Sequence, residues 1–485
     1  MNKLKWLITI LVVTAGVMVC NNALDNDSWD VLAEGREIVE NGIYYEDQLS
    51  MHEGLEVTVQ NYGFAVIFYL IYSVFGPMGI YVGMLILNLI LCYLIYKICM
   101  LLSNKNVNLS LMIMVLTDLL LGYCFVVTRA QMVSYCAIML VIYLLELYIK
   151  TDKTKYLWWV PLISLVEINM HASIWPMIFA VLLVYIIDGI KFKKLHLAGY
   201  RKKPLIIAFL ASFLAGFLNP YGFKMMTLMF SSYGVPEARE IINELYPFYL
   251  ANVYCILLYG TIVVAMVLYI FGKKQNIRMR WSLLIFGFLA LGINTSKAMS
   301  YVILVLLFPL AAVYKDVLIN NWGSRKIRWM AASWCGILAA VLIVTVVVAR
   351  VPQVIDGPNE QMISAVSELD KDIGEINKKS LKIYTNFNQG GFLEYRGYKP
   401  YIDPRTEVFL KSNNGKEDIF IEFYDLYNRK IEVGDFIAKY DFDYLVVMEY
   451  EDYLYDYDRG GYKMIYEIDD EEEDAKNGVR IYKKI

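Results

Sequence analysis

Charged residues are scarce in this sequence. Only 19% of its 485 residues are Asp, Glu, Lys or Arg, whereas 58% are hydrophobic. Because soluble domains carry about 25% charged residues, the composition excludes a wholly soluble fold. Cysteine is also sparse, with 7 residues, and none follows residue 350. The C-terminal part therefore lacks a disulfide framework, and no cysteine spacing typical of a zinc site is present.

Long apolar runs fill the first 350 residues. Runs near twenty residues are long enough to cross a hydrocarbon core of about 30 Å as a helix, which satisfies its own backbone hydrogen bonds, whereas the runs over 156–169 and 281–294 are short. We therefore predict a polytopic α-helical membrane domain over residues 1–349, with about eleven transmembrane helices. The predicted spans are 5–22, 79–101, 109–127, 131–149, 156–169, 172–189, 204–219, 250–271, 281–294, 299–315 and 328–349.

The run over residues 62–76 is too short to cross the membrane comfortably. It follows a polar segment, 23–61, that lies directly after the first predicted span. An interfacial or re-entrant helix is the preferred interpretation of 62–76.

Basic residues mark every alternate loop, as they do in cytoplasmic loops. This bias places the N-terminus in the cytoplasm of a multi-pass cell-membrane protein. The first loop, 23–61, and the C-terminal domain are then extracytoplasmic. A signal peptide is the alternative for the first span. The residues counted are Lys3, Lys5, Lys97, Lys105, Lys150, Lys153, Lys155, Lys191, Lys193, Lys194, Arg201, Lys202, Lys203, Lys273, Lys274, Arg278, Arg280, Arg325, Lys326 and Arg328.

Residues 350–485 have a different pattern, with short runs that alternate apolar and polar residues. Such alternation predicts strands, and two longer amphipathic runs predict helices, so we expect a soluble α/β domain. The predicted strands are LKIYTNF, KPYIDP, DYLVVMEY, YKMIYEI and VRIYKKI, and the predicted helices are SAVSELDKDIGEIN and KEDIFIEFYDLYN.

Two local sequence features of this domain predict specific structures. Gly390 and Gly391 predict a tight turn or a bulge between strands. A phosphate-binding loop is disfavoured, because no helix of the required kind is predicted after them. Asp403 and Arg405 are predicted to form a local ion pair.

Three aspartates, Asp25, Asp27 and Asp30, lie just beyond the first predicted span. One interpretation is a solvated loop in which Asp27 caps a helix and Asp30 lies in its first turn. The other is that these acids belong to an enzyme, with Asp25 and Asp27 as its catalytic carboxylates. Both interpretations remain open at this level.

Other polar residues are predicted at the same depth, near the outer face. Because a charge deep in a span costs roughly 2.5–3.5 kcal/mol, their agreement in depth favours a shared cavity. Snorkelling explains Arg129 equally well, a hydrogen-bonded turn explains His171, and a loop cap explains Glu244. For Asp118, within a span, a structural contact between helices is preferred. The predicted substrate-binding residues are Asp30, Arg36, Arg129, Gln131, His171, Glu244 and Lys297.

Several motifs in order resemble the GT-C class of polytopic glycosyltransferases. That class includes oligosaccharyltransferase catalytic subunits, protein O-mannosyltransferases and lipid A aminoarabinose transferases. Within it, the chain is similar to a group of bacterial membrane proteins of this type. The pieces that carry the resemblance are DNDSWDVLAEGREIVENG, TRAQMVSY, VEINMHASIW, FLNPYG, INELYP and NQGGFLEYRGYKPYIDPR.

The chain departs from the pattern at five positions. The resemblance implies Trp and His where Ser28 and Asp30 stand, and Gly at Ala172 and Pro404. It also implies Arg at Lys297. The missing His puts a metal role for the first loop in doubt.

The resemblance implies a transferase that moves a sugar from a polyprenyl-phosphate donor to a glycan, lipid or protein outside the membrane. Asp25 or Asp27 would serve as general base, and Arg129, Lys297 or Arg36 would stabilise the leaving phosphate. The implied reaction needs no metal ligand, although a divalent metal is compatible with it. Membrane lipids are partners, and nothing indicates nucleic acid. The alternatives are a flippase for a lipid-linked glycan and a non-catalytic envelope scaffold.

Overall fold

The fold is described from a computed structural model of the chain. It describes residues 24–122, 125–190, 200–232, 235–242, 245, 253–271, 278–315, 360–455, 461–468 and 478–485. The described residues divide into two compact units. Unit 1 lies within Tyr81–Met226 and Ile242–Pro352, and unit 2 lies within Ala23–Ile80, Thr227–Ile241 and Gln353–Ile485. The first predicted loop therefore belongs to the same unit as the C-terminal domain.

Helices dominate the part of the chain before residue 316. In chain order they are α1 (Asn26–Asn41), α2 (Tyr62–Leu102), α3 (Val107–Gly122), α4 (Gln131–Thr151), α5 (Trp159–Met170), α6 (Pro176–Asp188), α7 (Lys203–Ala215), α8 (Phe223–Ser232), α9 (Ala238–Ile241), α10 (Val253–Phe271), α11 (Met279–Asn294), α12 (Met299–Leu306) and α13 (Phe308–Val313).

The C-terminal part mixes helices with strands. In chain order its elements are α14 (Glu360–Ile373), β1 (Ile383–Tyr384), α15 (Gly390–Tyr395), α16 (Lys411–Asn414), α17 (Ile419–Tyr427), α18 (Val433–Tyr440), β2 (Tyr444–Met448), α19 (Asp452–Tyr455), β3 (Tyr462–Ile468) and β4 (Val479–Lys484).

Three described helical segments are long and apolar enough to cross a membrane: Tyr62–Leu102, Gln131–Thr151 and Ser296–Val313. Further apolar helices of 10–17 residues coincide with other predicted spans. A mostly helical membrane protein is therefore confirmed, whereas the number of spans stays a prediction. The predicted spans 5–22 and 328–349 lie outside the described residues.

One predicted span is too long. The helix predicted over 204–219 ends at Ala215 as α7. Asn219 donates from Nδ2 to the carbonyl oxygens of Gly216 and Gly222, at 2.7 and 3.1 Å, and so closes a turn. Pro220 follows and has no N–H to donate to the carbonyl oxygen of Gly216, which disfavours a continuous helix through this segment.

The long helix α2 is divided at Gly76, which has φ 62° and ψ −158°. A positive φ of this kind is accessible to glycine without a steric penalty. Pro77 then begins a new helical segment, a position where its missing N–H costs nothing. Before the break, Val74 and Phe75 are each 69% exposed. The short helix predicted over 62–76 is therefore a distinct segment, and its place at the membrane surface stays a prediction.

A buried ion network crosses unit 1. The Arg280 guanidinium donates to Glu146 from Nε and Nη2 at 2.7 and 2.9 Å, and to Asp188 Oδ2 from Nη1 at 3.1 Å. Tyr185 donates to Glu146 and Tyr200 to Asp188, so each acid is shared by several donors. Arg280 was counted above as a loop charge, but it is 4% exposed, because two acids on neighbouring helices compensate its charge.

Unit 2 contains a four-stranded sheet of order β1-β2-β4-β3. β1 pairs with β2 in parallel, whereas β2–β4 and β4–β3 are antiparallel. The strands predicted in DYLVVMEY, YKMIYEI and VRIYKKI are thus present as β2, β3 and β4. α14 packs on β3 and β4 through a buried apolar face that includes Met362, Val366 and Leu369.

The strand predicted in KPYIDP is wrong. This segment contributes an isolated bridge between Ile383 and Pro400. Pro400 and Pro404 have no N–H to donate to a ladder, so a paired strand cannot form there. The two helices predicted in the domain are confirmed as α14 and α17.

Candidate functional site

The carboxylate of Asp25 caps helix α1. It accepts hydrogen bonds from the backbone N and the Oγ of Ser28, at 3.0 and 2.6 Å. Asp27, predicted above to be the cap, instead lies in the first turn. Either aspartate could cap a helix by its residue type. The extended backbone conformation of Asp25 makes it the cap. Asp27 is placed where the positive end of the helix favours an acid.

Helix α1 packs closely against the short helix α15. The Trp29 ring lies 5.0 Å from that of Phe392 and 5.2 Å from that of Tyr395, measured between centroids. A Cβ atom at Gly391 would lie 2.8 Å from the backbone N of Asp30. Gly390 and Gly391 therefore begin a helix and permit a close backbone approach. The turn or bulge predicted between strands is wrong, because the segment after them is helical.

The guanidinium of Arg405 lies at the centre of a buried cluster of acids. It donates to Asp403 from Nε and Nη2 at 2.9 and 2.7 Å. It also donates to Asp47 Oδ1 at 2.8 Å and to Glu394 Oε1 at 2.9 Å. Asp30 Oδ1 lies 3.4 Å from its Nε. The predicted Asp403–Arg405 ion pair is present, within a larger set that we call the Arg405 cluster: Asp30, Asp47, Glu394, Asp403 and Arg405.

Burial and charge shift the protonation of this cluster in opposite directions. Burial raises the pKa of Asp30 and of Glu394 well above the usual range of a carboxyl group. Burial also acts on Asp47, but the charge of Arg405 and hydrogen bonds from Ser50 outweigh it and lower the pKa of Asp47. Four carboxyl groups thus share one guanidinium away from water, and among Asp30, Asp47 and Glu394 only Asp47 has a lowered pKa.

Part of the Arg405 cluster has the geometry of a metal site. One carboxylate oxygen from each of Asp30, Glu394 and Asp403 lies within 4.8 Å of the others, and all three residues are buried. Among the described residues, none donates a hydrogen bond to Asp30 Oδ1 or Glu394 Oε2. Carboxylate oxygens are the ligands that hard divalent cations prefer.

Arg36 is committed to the backbone of α15. It donates to the carbonyl oxygens of Tyr395 and Glu394, at 2.7 and 2.8 Å, and lies 5.5 Å from the centroid of the Tyr395 ring. These contacts satisfy carbonyls at the C-terminal end of a helix, which cations favour. They give Arg36 a structural role, and its predicted binding of substrate stays a prediction.

A second polar cluster lies in unit 1. His171 Nδ1 is 2.7 Å from the Oγ of Ser134, and both residues are buried. Gln131 hydrogen bonds to the hydroxyl of Tyr135. The Tyr135 ring lies 5.7 Å from that of Tyr301, on α12.

Lys297 lies just before α12, in a 3₁₀ turn over Ser296–Ala298, and its charge acts on His171. In unit 1, His171 therefore interacts with Lys297, and Gln131 lies on the same helix as Ser134, the hydrogen-bond partner of His171. Arg129 is half-buried two residues before Gln131. Glu244 lies outside the described residues. The meeting of these groups with Asp25 and Asp27 stays a prediction.

Asp118 behaves as the preferred interpretation expects. It accepts a hydrogen bond at 3.2 Å from Asn88, and both side chains are fully buried between α2 and α3. A buried polar contact of this kind joins helices where no water is available.

The sequence analysis did not single out Asp47 or Glu394, and it gave Arg405 only Asp403 as a partner. The available signal was the setting of Glu394 and Arg405, which are charged residues within otherwise buried aromatic and apolar segments. Charged side chains in such segments are almost never fully buried unless they are paired.

No protein-family model and no curated protein matches the chain. Solved structures do. The chain is similar to the archaeal oligosaccharyltransferase AglB of Archaeoglobus fulgidus in complex with an inhibitory peptide and a dolichol-phosphate. The TM-score is 0.59 at 10% identity, over 92% of this chain and 70% of that chain. A second structure of the A. fulgidus enzyme, tethered to an acceptor peptide that contains the NVT sequon, gives a TM-score of 0.57 at 11% identity. It covers 91% of this chain and 69% of the other.

The chain has an oligosaccharyltransferase-like fold. The similarity covers both units, and the enzyme it matches is a GT-C-type membrane protein. The resemblance to the GT-C class is thus confirmed at the level of the fold. Fold alone does not assign a reaction, because one fold supports many chemistries.

Proposed function

We propose that this protein is a membrane glycosyltransferase that moves a sugar from a polyprenyl-phosphate donor to an acceptor at the outer face of the membrane. The observation that carries the proposal is the fold, which is shared over 92% of the chain with an enzyme bound to dolichol-phosphate and a peptide. The acceptor is an envelope glycan, lipid or protein. We assign the protein to the cell membrane, with its N-terminus in the cytoplasm.

One of Asp25 and Asp27 is the proposed general base, because one proton transfer needs a single carboxylate. The acid takes a proton from the acceptor hydroxyl or amine while that oxygen or nitrogen bonds to the anomeric carbon. The bond from this carbon to the phosphate oxygen breaks, and the lipid phosphate leaves with the electron pair. The hydrogen bonds from Ser28 support this role, because they hold the Asp25 carboxylate in one orientation.

The leaving phosphate needs a positive charge. Arg129 and Lys297 are the proposed partners, because ammonium and guanidinium groups stabilise negative charge that develops on the departing oxygen. His171 and Gln131 are the proposed polar contacts to the donor. The electrostatic interaction between Lys297 and His171 supports the grouping of these residues in one subsite.

The test separates catalysis from helix capping. Asp25→Ser keeps a side-chain oxygen that caps a helix but removes the carboxylate. Asp27→Asn removes the second acid. Each variant is expressed in a strain that lacks the gene, and envelope glycans and lipid-linked donor are measured by mass spectrometry. We expect at least one of the two to lower transfer by about 10²–10⁴-fold, the usual contribution of a general base.

Asp435→Asn is the matched control, because Asp435 is an exposed acid in the first turn of α18. Full restoration of the glycan by Asp25→Ser, Asp27→Asn and the double variant would contradict the proposal. A donor that accumulates only on the inner leaflet would indicate a flippase instead. An unchanged donor pool with an altered envelope would indicate a scaffold.

A further inference from the structure

The acids of the Arg405 cluster outnumber its cation. Asp30, Asp47, Glu394 and Asp403 face the single guanidinium of Arg405, and side chains of this cluster are 10% exposed or less. Uncompensated carboxylates are costly in a low-dielectric interior. A second positive group beside Arg405 would remove this excess of negative charge.

Oxygen atoms in the cluster lack donors. Within the described ranges, Glu394 Oε2 accepts no hydrogen bond, and Asp30 Oδ1 has only the 3.4 Å ion contact with Arg405 Nε, although the two residues are 1% and 7% exposed. Buried polar atoms are satisfied in the great majority of cases, so two such atoms in one cluster point to an absent partner. Because both atoms belong to acids, the absent partner is either a cation or a proton that one carboxyl group shares with another.

The spacing of the oxygens fits one ion. Three atoms within 4.8 Å of one another can share a point that is at most about 2.8 Å from each. Ca²⁺ binds oxygen at roughly 2.3–2.6 Å, so a contraction of a few tenths of an ångström completes the coordination. Mg²⁺ requires about 2.0–2.1 Å and near-ideal octahedral geometry, which this spacing fits less well.

We propose that Asp30, Glu394 and Asp403 bind a hard divalent cation of the size of Ca²⁺, which ties helix α1 to helix α15 and to the segment that holds Arg405. Glu394 uses Oε1 for Arg405 and presents Oε2 to the ion. Asp403 holds Arg405 with both oxygens and shares one of them with the ion. The ion is structural, and the inference does not depend on the proposed transferase activity.

Gly390 and Gly391 explain how the ligands meet. A Cβ atom at Gly390 would lie 2.6 Å from the Cα of Asp403, and one at Gly391 would lie 2.8 Å from the N of Asp30. Both substitutions would push Glu394, on the same short helix, away from the other two acids. The absence of side chains at Gly390 and Gly391 thus allows the three ligands to approach one another.

The test uses the full-length protein in detergent, stripped with EGTA and titrated with CaCl₂ by calorimetry. We expect about one Ca²⁺ site per chain and a higher thermal unfolding midpoint in Ca²⁺ than in EGTA, because an ion that binds the folded state stabilises it. Glu394→Gln and Asp30→Asn should each weaken binding by at least about tenfold, since even an outer-shell change costs 10–100-fold.

Glu417→Gln is the control, because Glu417 is an exposed acid of the same unit. It should bind Ca²⁺ as the unchanged protein does. Equal affinities in all three variants would overturn the proposal. If the two ligand variants fail to fold, the unchanged protein decides: identical unfolding midpoints in Ca²⁺ and EGTA would show that protons, rather than a cation, neutralise the acids.

Discussion

The two units each bury one arginine among acids, but the balance of charge differs. In unit 1, Arg280 faces Glu146 and Asp188, and tyrosine hydroxyls supply additional donors. In unit 2, Arg405 faces four acids, and two of their oxygens lack a donor among the residues described. The first network is fully hydrogen bonded, which is typical of a structural network. The second can accept a further positive group.

This difference shows that burial of an ion pair does not by itself indicate function. Buried pairs require good geometry and full hydrogen bonding to offset desolvation. Arg280 meets that requirement with its own acids. In the Arg405 cluster the guanidinium meets this requirement. Asp30 and Glu394 do not, because each has an oxygen that accepts no hydrogen bond from the described residues. These two oxygens indicate where the candidate site lies.

The largest expected effect comes from removing the central cation of unit 2. Arg405→Ala leaves four buried acids without a counter-charge, and breaking a buried pair in this way costs roughly 3–5 kcal/mol. Amide hydrogen exchange, followed by mass spectrometry on peptides of α15 and β2, should accelerate accordingly.

Arg429→Ala is the control for this change. Arg429 pairs with Asp452 at 2.6 Å, but both side chains are more than 60% exposed. Exposed pairs contribute about 0–1 kcal/mol, so exchange should change little. Equally faster hydrogen exchange in the two variants would show that Arg405 contributes no more stability than an exposed arginine.

The same substitution should lower stability in unit 1 but not in unit 2. Glu146→Gln replaces an oxygen that accepts from Arg280 or Tyr185 with an NH₂ group, and a donor facing donors costs roughly 1–3 kcal/mol. Glu394→Gln, in EGTA, keeps the oxygen bonded to Arg405 and turns a donor toward excess acids, so stability should stay equal or rise.

Hydrogen exchange of α11 peptides reports on Glu146→Gln, and exchange of α15 peptides reports on Glu394→Gln. Faster exchange in both variants would break the comparison between a complete and an acid-rich network. Slower exchange around α15 alone would support it.

The smallest effect concerns Asp370 of unit 2, an acid that has more donors than Glu394. Burial raises the pKa of Asp370, but hydrogen bonds from Lys378, Tyr398 and Arg396 outweigh that effect and hold the pKa below its usual range. Its stabilising contribution is present above the pKa of the unfolded chain and is lost as the pH falls through the lower, folded value.

Unfolding of the protein should therefore show a decrease in stability at acidic pH that is smaller in Asp370→Asn. An identical pH dependence in the two proteins would contradict this assignment. Asp370 and Glu394 lie in the same unit. Comparing their variants therefore tests the effect of the number of hydrogen-bond donors independently of the unit.

Local patterns predicted the regular elements well. α14, α17, β2, β3 and β4 follow from the spacing of apolar residues, since a helix or strand buries one face at a characteristic period. The Asp403–Arg405 pair was also accessible, because its members are two residues apart. KPYIDP failed because alternation alone does not account for the missing N–H groups of its prolines.

The partners in the Arg405 cluster were not accessible in the same way. Asp47 lies 358 residues before Arg405 in the chain. No periodicity relates positions so distant, and several acids in the first loop were equally plausible from their residue type. The choice of Asp25 over Asp27 as helix cap likewise depended on a backbone angle that the residue types do not specify.

The sequence by itself determined the class of the protein: a helical membrane chain that carries an α/β domain, because hydropathy and period are local properties. Tertiary structure decided which acids share Arg405 and which arginine is fully compensated. Those facts depend on contacts between residues hundreds of positions apart, which follow from how the helices and the sheet pack.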